Sequence, residues 1–438
     1  MKGCAASTVS PKTLWPDDVK LAKYENMKFD SIIIGGGLSG LVAGIGLQSE
    51  GRNCLVISAG QSALHFFSGS FELYNTDKPY AEALAGLDAN HPYSRIGVAE
   101  VLDIASEVPS FFESAGIRLA GENGRNHFRI TPMGVLKPAW LTLEGYASVP
   151  SDGVMPWKKV AIADIDGFLD FHPDFLAAGL AAKGVESRIC TISLPELDRL
   201  RTNPTEMRST NIARALSGNL IGELASRISK AAEGCDAVLL PAVIGLNDPV
   251  EAQSLKARTA VPLEYVATLP PSVPGIRTQL MLRAYFQKLG GTYILGDSVT
   301  DGEFEGDRLK GVRTVNHGDT LFEADNFVLA SGSFFSRGIK ATIDGVYEPI
   351  FGLDVDSIAE RPQWYSANMF DSQPYMGFGV RTDGQLRVSR QGTQVRNLHA
   401  CGSVLSGFNG IKEGCGAGVS IITAMEVVRI ISRQGMGK

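Results

Sequence analysis

Phe29–Ile34 is an unbroken apolar, β-branched run, the pattern of a strand buried on both faces. Gly35-Gly36-Gly37-Leu38-Ser39-Gly40 follows at once. From Leu38 to Glu50 apolar residues fall at 38, 41, 42, 45 and 47, which sets one face of a helix against a core. Gly51 ends that helix, and Asn53–Ser58 is a second short strand. From about 80 to 250 the pattern loosens. Val101–Ala115 and Ile212–Ala232 predict helices, and Asp236–Leu246 predicts a strand with its exit loop. Aromatic and proline-rich loops fill His127–Trp140 and Val149–Trp157. Regular alternation returns after Pro270-Pro271. Ile276–Leu289 predicts a helix closed by Gly290-Gly291, and Thr292–Leu295 a strand. A turn-rich stretch from Val299 to Gly311 leads into a strand at Val312–Val315. Ala324–Leu329 is another strand and runs into Ala330-Ser331-Gly332-Ser333. Leu398–Ser406, a glycine-rich turn and a helix from about Gly416 to Gln434 close the chain.

Composition narrows the classes. Apolar residues are 44% of 438 and charged residues 20%, enough for a large core and unlike a disordered chain. Forty-one basic residues against 47 acidic leave a net charge of −6, which argues against a nucleic-acid partner. Ser31 to Ser49 carries no charge, but its six glycines and the break at Gly35 read as a turn, not a membrane span. Residues 1-26 lack the apolar region of a secretory signal and read as a flexible tail or a misplaced start. None of the six cysteines stands in a C-x-x-C pair, so iron–sulfur and zinc sites have no ligand framework, and a reducing compartment is the simpler reading. No metal is expected.

The chemistry gathers at glycines. G-x-G-x-x-G stands as Gly35, Gly37 and Gly40 between a strand and a helix, the context of a dinucleotide-type fold. Gly35 permits the tight turn, Gly37 clears space for phosphate, and Gly40 lets helix and strand pack closely. The free N–H groups of the helix start, among Gly36, Leu38 and Ser39, then meet the anion. In dinucleotide binders the second strand ends in an acid that holds ribose hydroxyls. Here that position is Ser58, followed by Ala59. The alternatives are hydroxyl and backbone contacts instead, or a mononucleotide with no such ribose. Gln61, Ser62, His65, Ser68, Gly69 and Ser70 lie where α/β folds place ligands. Gly402, Ser403, Gly410 and Gly416 precede the last helix, whose positive end would suit a reduced flavin ring.

With these residues in hand, the chain resembles the flavoprotein superfamily of fumarate reductases and related dehydrogenases. The segments are KFDSIIIGGGLSGLVAGIGLQSEG, ADNFVLASGSF and NLHACGSVLSGFN. Within it, GGGLSGL with GQSALHFFSGSFEL resembles the family of B-type subunits of anaerobic glycerol-3-phosphate dehydrogenases, as do PPSVPGIRTQL and DAVLLPAVIGL. The resemblance implies an α/β, Rossmann-like FAD/NAD(P)-binding fold with an inserted α+β cap or substrate domain. The flavin-binding part is expected at 27-80 plus 250-438, and the insert at 81-249. It also implies a complex oxidising sn-glycerol 3-phosphate to dihydroxyacetone phosphate in glycerol catabolism. The implied partners are an A-type catalytic subunit that holds FAD and a C-type subunit that carries iron–sulfur clusters and passes electrons towards quinone. The implied location is cytoplasmic, with attachment at the inner face of the cell membrane expected only through those partners. The B-type subunits are expected to bind FMN.

Three departures bear on the cofactor. Ser58 replaces the ribose acid, Ala330-Ser331-Gly332 replaces the superfamily's Ala-Thr-Gly, and Gly402-Ser403 lacks the acid that usually follows that glycine. FMN therefore leads, with FAD the alternative, and Val299, where superfamily members touch adenine, has no such role if FMN is bound. Three functions stand side by side: a flavin relay subunit, a self-sufficient FAD oxidoreductase and a structural subunit with a relict flavin fold. The second would bind a small substrate anion through Arg277, Arg283, His127 or Lys137. The residues assemble no catalytic constellation of base and cation along the chain.

Overall fold

The computed structural model describes residues 28–203 and 206–435; the expectation for residues 1-26 lies outside them. In chain order the main elements are β1 (Lys28–Ile34), α1 (Leu38–Ser49), β2 (Cys54–Ser58) and α2 (Val98–Ser114), then β3 (Lys159–Ile165), α3 (Pro173–Ala181), β4 (Glu186–Ile192), α4 (Leu220–Ala231), β5 (Ala237–Pro241), α5 (Val250–Arg258) and β6 (Leu263–Val266). After them come α6 (Val273–Lys288), β7 (Thr292–Leu295), β8 (Val299–Glu305), β9 (Arg308–Thr314), β10 (Phe322–Leu329), β11 (Arg387–Arg390), β12 (Thr393–Ala400) and α7 (Gly416–Gly435).

The larger sheet carries a parallel core in the order β7-β2-β1-β10-β12. Its register sets Ile34 beside Ile57 and Leu329, and Leu329 beside Ala400. Its central strands thus end at one level, the edge where parallel sheets bind ligands. β8 and β9 extend the sheet as an antiparallel hairpin turned at Gly306. The turn-rich reading of 299–311 missed the first arm because its residues, VTDGEFE, are polar.

α1 lies between the sheet and two other helices, which is why its Leu41, Val42, Ile45 and Leu47 are all buried. At Gly44 a side chain would press on the Phe286 ring of α6, and at Gly46 it would meet Val428 of α7. Removing the fully buried Phe286 ring would cost about 3–5 kcal/mol.

A second sheet, in the order β4-β3-β5-β6, is wholly parallel. The α+β expectation for the middle of the chain describes the short antiparallel ribbons around 70–149 but not this sheet. Its last strand also lies beyond residue 249. β4 escaped detection because six of its seven residues (ESRICTI) are at least partly exposed. The single helix expected over Ile212–Ala232 is two, Ser209–Ala215 and α4, parted at Gly218, whose φ is +59°.

Candidate functional site

The turn after β1 is built by contact. Gly35 has φ +118°, its N–H donates to Ile57 O at 2.9 Å, and a Cβ there would stand 2.2 Å from Ala330 O. A Cβ at Gly40 would stand 1.8 Å from Gly35 O, so α1 crosses the turn at a distance only glycine allows. Gly37 is different. It is the extended N-cap of α1, with φ −81° and no side-chain cap, and the nearest atom to an added Cβ is Ser62 Cβ at 3.7 Å. Space and orphan N–H groups therefore meet at the helix start.

That space is part of a cavity of about 590 Å³, within the range of small-molecule cofactor sites. The Gly35–Ser39 turn lines it, as do Ser58, Ala59 and Gln61, Ser62 beyond β2. Ala330, Ser331 and Gly332 at the end of β10 line it, with Ser403 after β12 and the first turn of α7 at Gly416. Ser68 and Ser70 complete the expected residues brought together there. Two helix N-termini, those of α1 and α7, open on this one cavity and favour negative charge in it. The Ser331 hydroxyl is buried without a protein partner, a donor left for a ligand.

Other expected residues stand behind the lining. Gly402 donates its N–H to Thr423 Oγ1 at 2.9 Å and packs against Ser39. Gly410 packs on Gly416, and Gly69 on the Tyr146 ring. Gly40 supports the turn from below. Val299 is buried at the start of β8, outside the cavity. His65 is also outside; burial lowers its pKa while Gln279 opposes this.

The place of the missing acid is filled. A Cβ at Gly36 would stand 2.1 Å from the Tyr293 hydroxyl and 2.4 Å from Ser58 Oγ, so both side chains press on the turn. Gln279 of α6, which sequence reasoning missed, ties the region together. Its Nε2 donates to Gly36 O at 3.2 Å, and Ser62 Oγ donates to its Oε1 at 3.1 Å. The available signal was a polar pair, Thr278-Gln279, on the buried side of a helix.

Of the four candidate anion contacts, only Lys137 lines the cavity. Arg277 donates to Ile244 O and Gly245 O and borders a separate cavity of about 500 Å³. Arg283 stacks over Tyr293, 5.8 Å from the ring centroid. His127 is held behind Thr142, its Nε2 2.7 Å from Thr142 Oγ1, which lies 3.0 Å from Ser70 Oγ. Arg129 and Glu72, neither singled out in the sequence, join Lys137 in the lining. Burial raises the Glu72 carboxyl pKa while Arg129 and Lys137 oppose it, and burial lowers that of Arg129.

Among the described residues one cluster has metal-ligand chemistry: His91, Glu413 and Cys415. His91 Nδ1 accepts from the Tyr93 N–H at 3.1 Å, so Nε2 carries the ring proton and points it at Glu413, 3.3 Å away. Cys415 Sγ donates to Glu413 Oε2 at 3.5 Å. A metal on Nε2 would force a proton onto Nδ1 against the Tyr93 N–H. The cluster works instead as a clamp on the loop that feeds α7.

A parallel sheet whose strand ends, glycine turn and two helix N-termini share one cavity defines a flavin-binding Rossmann-like protein, and the family described as FAD binding domain matches residues 30–419. The B-type subunit of anaerobic glycerol-3-phosphate dehydrogenase from Yersinia enterocolitica serotype O:8 is 44% identical over 416 residues, covering 92% of this chain and 98% of that one. The same protein from Pectobacterium atrosepticum is 39% identical over 426 residues, covering 93% and 100%. The chain belongs to this B-type family. Among solved structures, Mycobacterium smegmatis Sdh1 in complex with UQ1 is similar with a TM-score of 0.43 at 10% identity, covering 94% of this chain and 69% of that one.

Proposed function

We propose that this chain is the flavin-binding subunit of an anaerobic glycerol-3-phosphate dehydrogenase complex, that its flavin is FMN, and that it relays electrons between FAD-containing catalytic and iron–sulfur partners. The observation carrying the reading is the corner at Gly36. Ser58 and the Tyr293 hydroxyl occupy the place of a ribose-binding acid, and Val299 is outside the cavity. A mononucleotide needs neither. The name shared by the relatives supplies the reaction, anaerobic dehydrogenation of glycerol 3-phosphate. Quinone is the acceptor in this reading, reached through the iron–sulfur partner.

A bound flavin would supply the one- and two-electron redox chemistry. The residues of this chain bind and orient it. The Gly36–Ser39 N–H groups would hold phosphate, and Ser331 would donate to a polar edge of the cofactor. The N-terminus of α7, fixed by the His91–Glu413 clamp, would stabilise negative charge on the ring. Phe66, Phe67 and Phe335 would shield it from water. Residues 28-80 with most of 250-435 act as the flavin-binding domain, and 81-249 together with β6 as the insert. Among the described residues no helix is long and apolar enough to cross a membrane. In this reading the protein reaches the membrane's inner face through its partners.

The test is to purify the chain, denature it and identify the released flavin by mass. One FMN per chain is expected. FAD would refute the mononucleotide reading, and a chain without flavin, expressed with riboflavin in excess, would refute the relay.

A further inference from the structure

We propose that Arg129, Lys137 and Glu72 form an anion subsite in the flavin cavity, built for the phosphate of a small phosphate monoester. The proposal rests on the flavin reading of that cavity, because the glycine turn then accounts for the cofactor's own phosphate and leaves the excess positive charge of this wall unmatched.

The strand His127–Ile130 pairs antiparallel with Leu136–Ala139, and the register sets Arg129 directly opposite Lys137. Like charges facing each other across a ribbon are destabilising. Both cations converge on one oxygen, Glu72 Oε1, from 3.6 Å for Arg129 Nη2 and 3.9 Å for Lys137 Nζ. One carboxylate against two cations leaves a positive charge in excess. Arg129 is only 8% exposed, and its Nε is buried with no partner. A buried guanidinium with an unmet N–H is costly unless a ligand meets it.

All three side chains line the cavity. Arg129 offers a planar fork for two oxygens of an oxyanion, and Lys137 a mobile point charge. Glu72 occupies the focus of both cations and would yield it to a stronger anion. Its backbone is anchored, since Glu72 O accepts the Gly418 N–H of α7 at 2.9 Å. The subsite is therefore tied to the helix whose end faces the same cavity. A dianionic phosphate matches the excess charge better than a neutral polyol does.

The experiment is calorimetric titration of the flavin-loaded full chain with inorganic phosphate, glycerol 3-phosphate and glycerol. The flavin absorbance difference is recorded in parallel, and released flavin is counted for every variant. Lys137→Met keeps the fold safe, because Lys137 is half exposed. Glu72→Gln removes the competing carboxylate and keeps its shape. Both anions should bind and perturb the flavin spectrum, and glycerol should do neither. Lys137→Met should weaken anion binding about tenfold, and Glu72→Gln should tighten it by about the same factor. Flavin per chain should stay at the parent value in both. Absence of anion binding, or variants that shift affinity in the same direction, would overturn the subsite. Flavin lost in step with the anion response would also overturn it, by making the wall a cofactor contact. A chain with no flavin at all would refute the relay reading while calorimetry on the same variants still decides the subsite, since neither residue belongs to the glycine turn.

Discussion

Neighbouring glycines of the phosphate turn should fail in opposite ways. Gly37 has ordinary backbone angles, and an added side chain meets nothing closer than 3.7 Å. Aspartate there is a better helix N-cap than glycine, so Gly37→Asp should raise the stability of the flavin-free chain by a few tenths of a kcal/mol. The same carboxylate would point into the cavity beside the orphan N–H groups. A unit charge about 4 Å from a phosphate charge repels it by about 4 kcal/mol at an effective dielectric constant of 20. At about 1.4 kcal/mol per decade, flavin affinity should fall about a thousandfold. Gly35→Ala meets Ala330 O at 2.2 Å and a φ of +118°, so the fold itself should lose about 3 kcal/mol or more. The assays are released flavin per chain and urea unfolding of the flavin-free forms. Gly37→Asp should be colourless and slightly more stable than the parent, and Gly37→Ala should keep most of its flavin. A Gly37→Asp chain with stoichiometric flavin would refute the phosphate placement. Flavin loss matched by lost stability in the same variant would show that the turn is only structural.

Further outcomes follow from the same geometry. Gln279→Leu removes the bonds to Gly36 O and Ser62, and should cost about 1 kcal/mol in urea unfolding and weaken flavin binding in equilibrium dialysis; unchanged flavin affinity would remove Gln279 from the site. Burial first, and Glu100 beside it second, push the Glu426 carboxyl of α7 up to about 7 from 4.5. The folded chain then holds a proton that the unfolded chain releases, so this stabilisation is complete below pH 4.5 and is lost as pH rises through 7. Glu426→Gln should accordingly gain on the order of 1–3 kcal/mol over the parent at pH 8 and nothing near pH 4.5; a constant difference in urea unfolding across that range would contradict the assignment. Burial pushes the Cys54 and Cys401 thiols up to about 12 and the Cys415 thiol well above its ordinary range. Iodoacetamide on the native chain, read by peptide mass, should therefore label the partly exposed Cys190 and Cys235 and spare those three.

Local pattern was enough for the βαβ opening, the strand at Ala324–Leu329 and the last helix, because their apolar residues fall at the period of the element they form. It was enough also for the glycine turn, since strand, turn and helix are contiguous and Gly35 and Gly40 touch atoms supplied by the same fold. The family resemblance in GQSALHFFSGSFEL was legible for the same reason, being carried by one continuous segment. What the chain order does not hold is which distant residues close the cavity. Gln279 reaches Gly36 across 243 positions, and Tyr293 stands on the turn only because β7 pairs with β2. Arg129 reads as an ordinary surface charge, and Lys137 as one of four scattered candidate anion contacts, until the ribbon sets them face to face and the fold brings Glu72 to both. His127, a candidate from its type, is held behind Thr142 and does not reach the cavity. β4 stayed hidden because a strand at a sheet edge owes its place to backbone pairing, which leaves no periodic trace in side chains. Sequence by itself determined the elements and the turn chemistry, which depend on neighbours along the chain. Only the tertiary structure decided the charge and shape of the cavity wall, because these come from contacts between segments that no local pattern records.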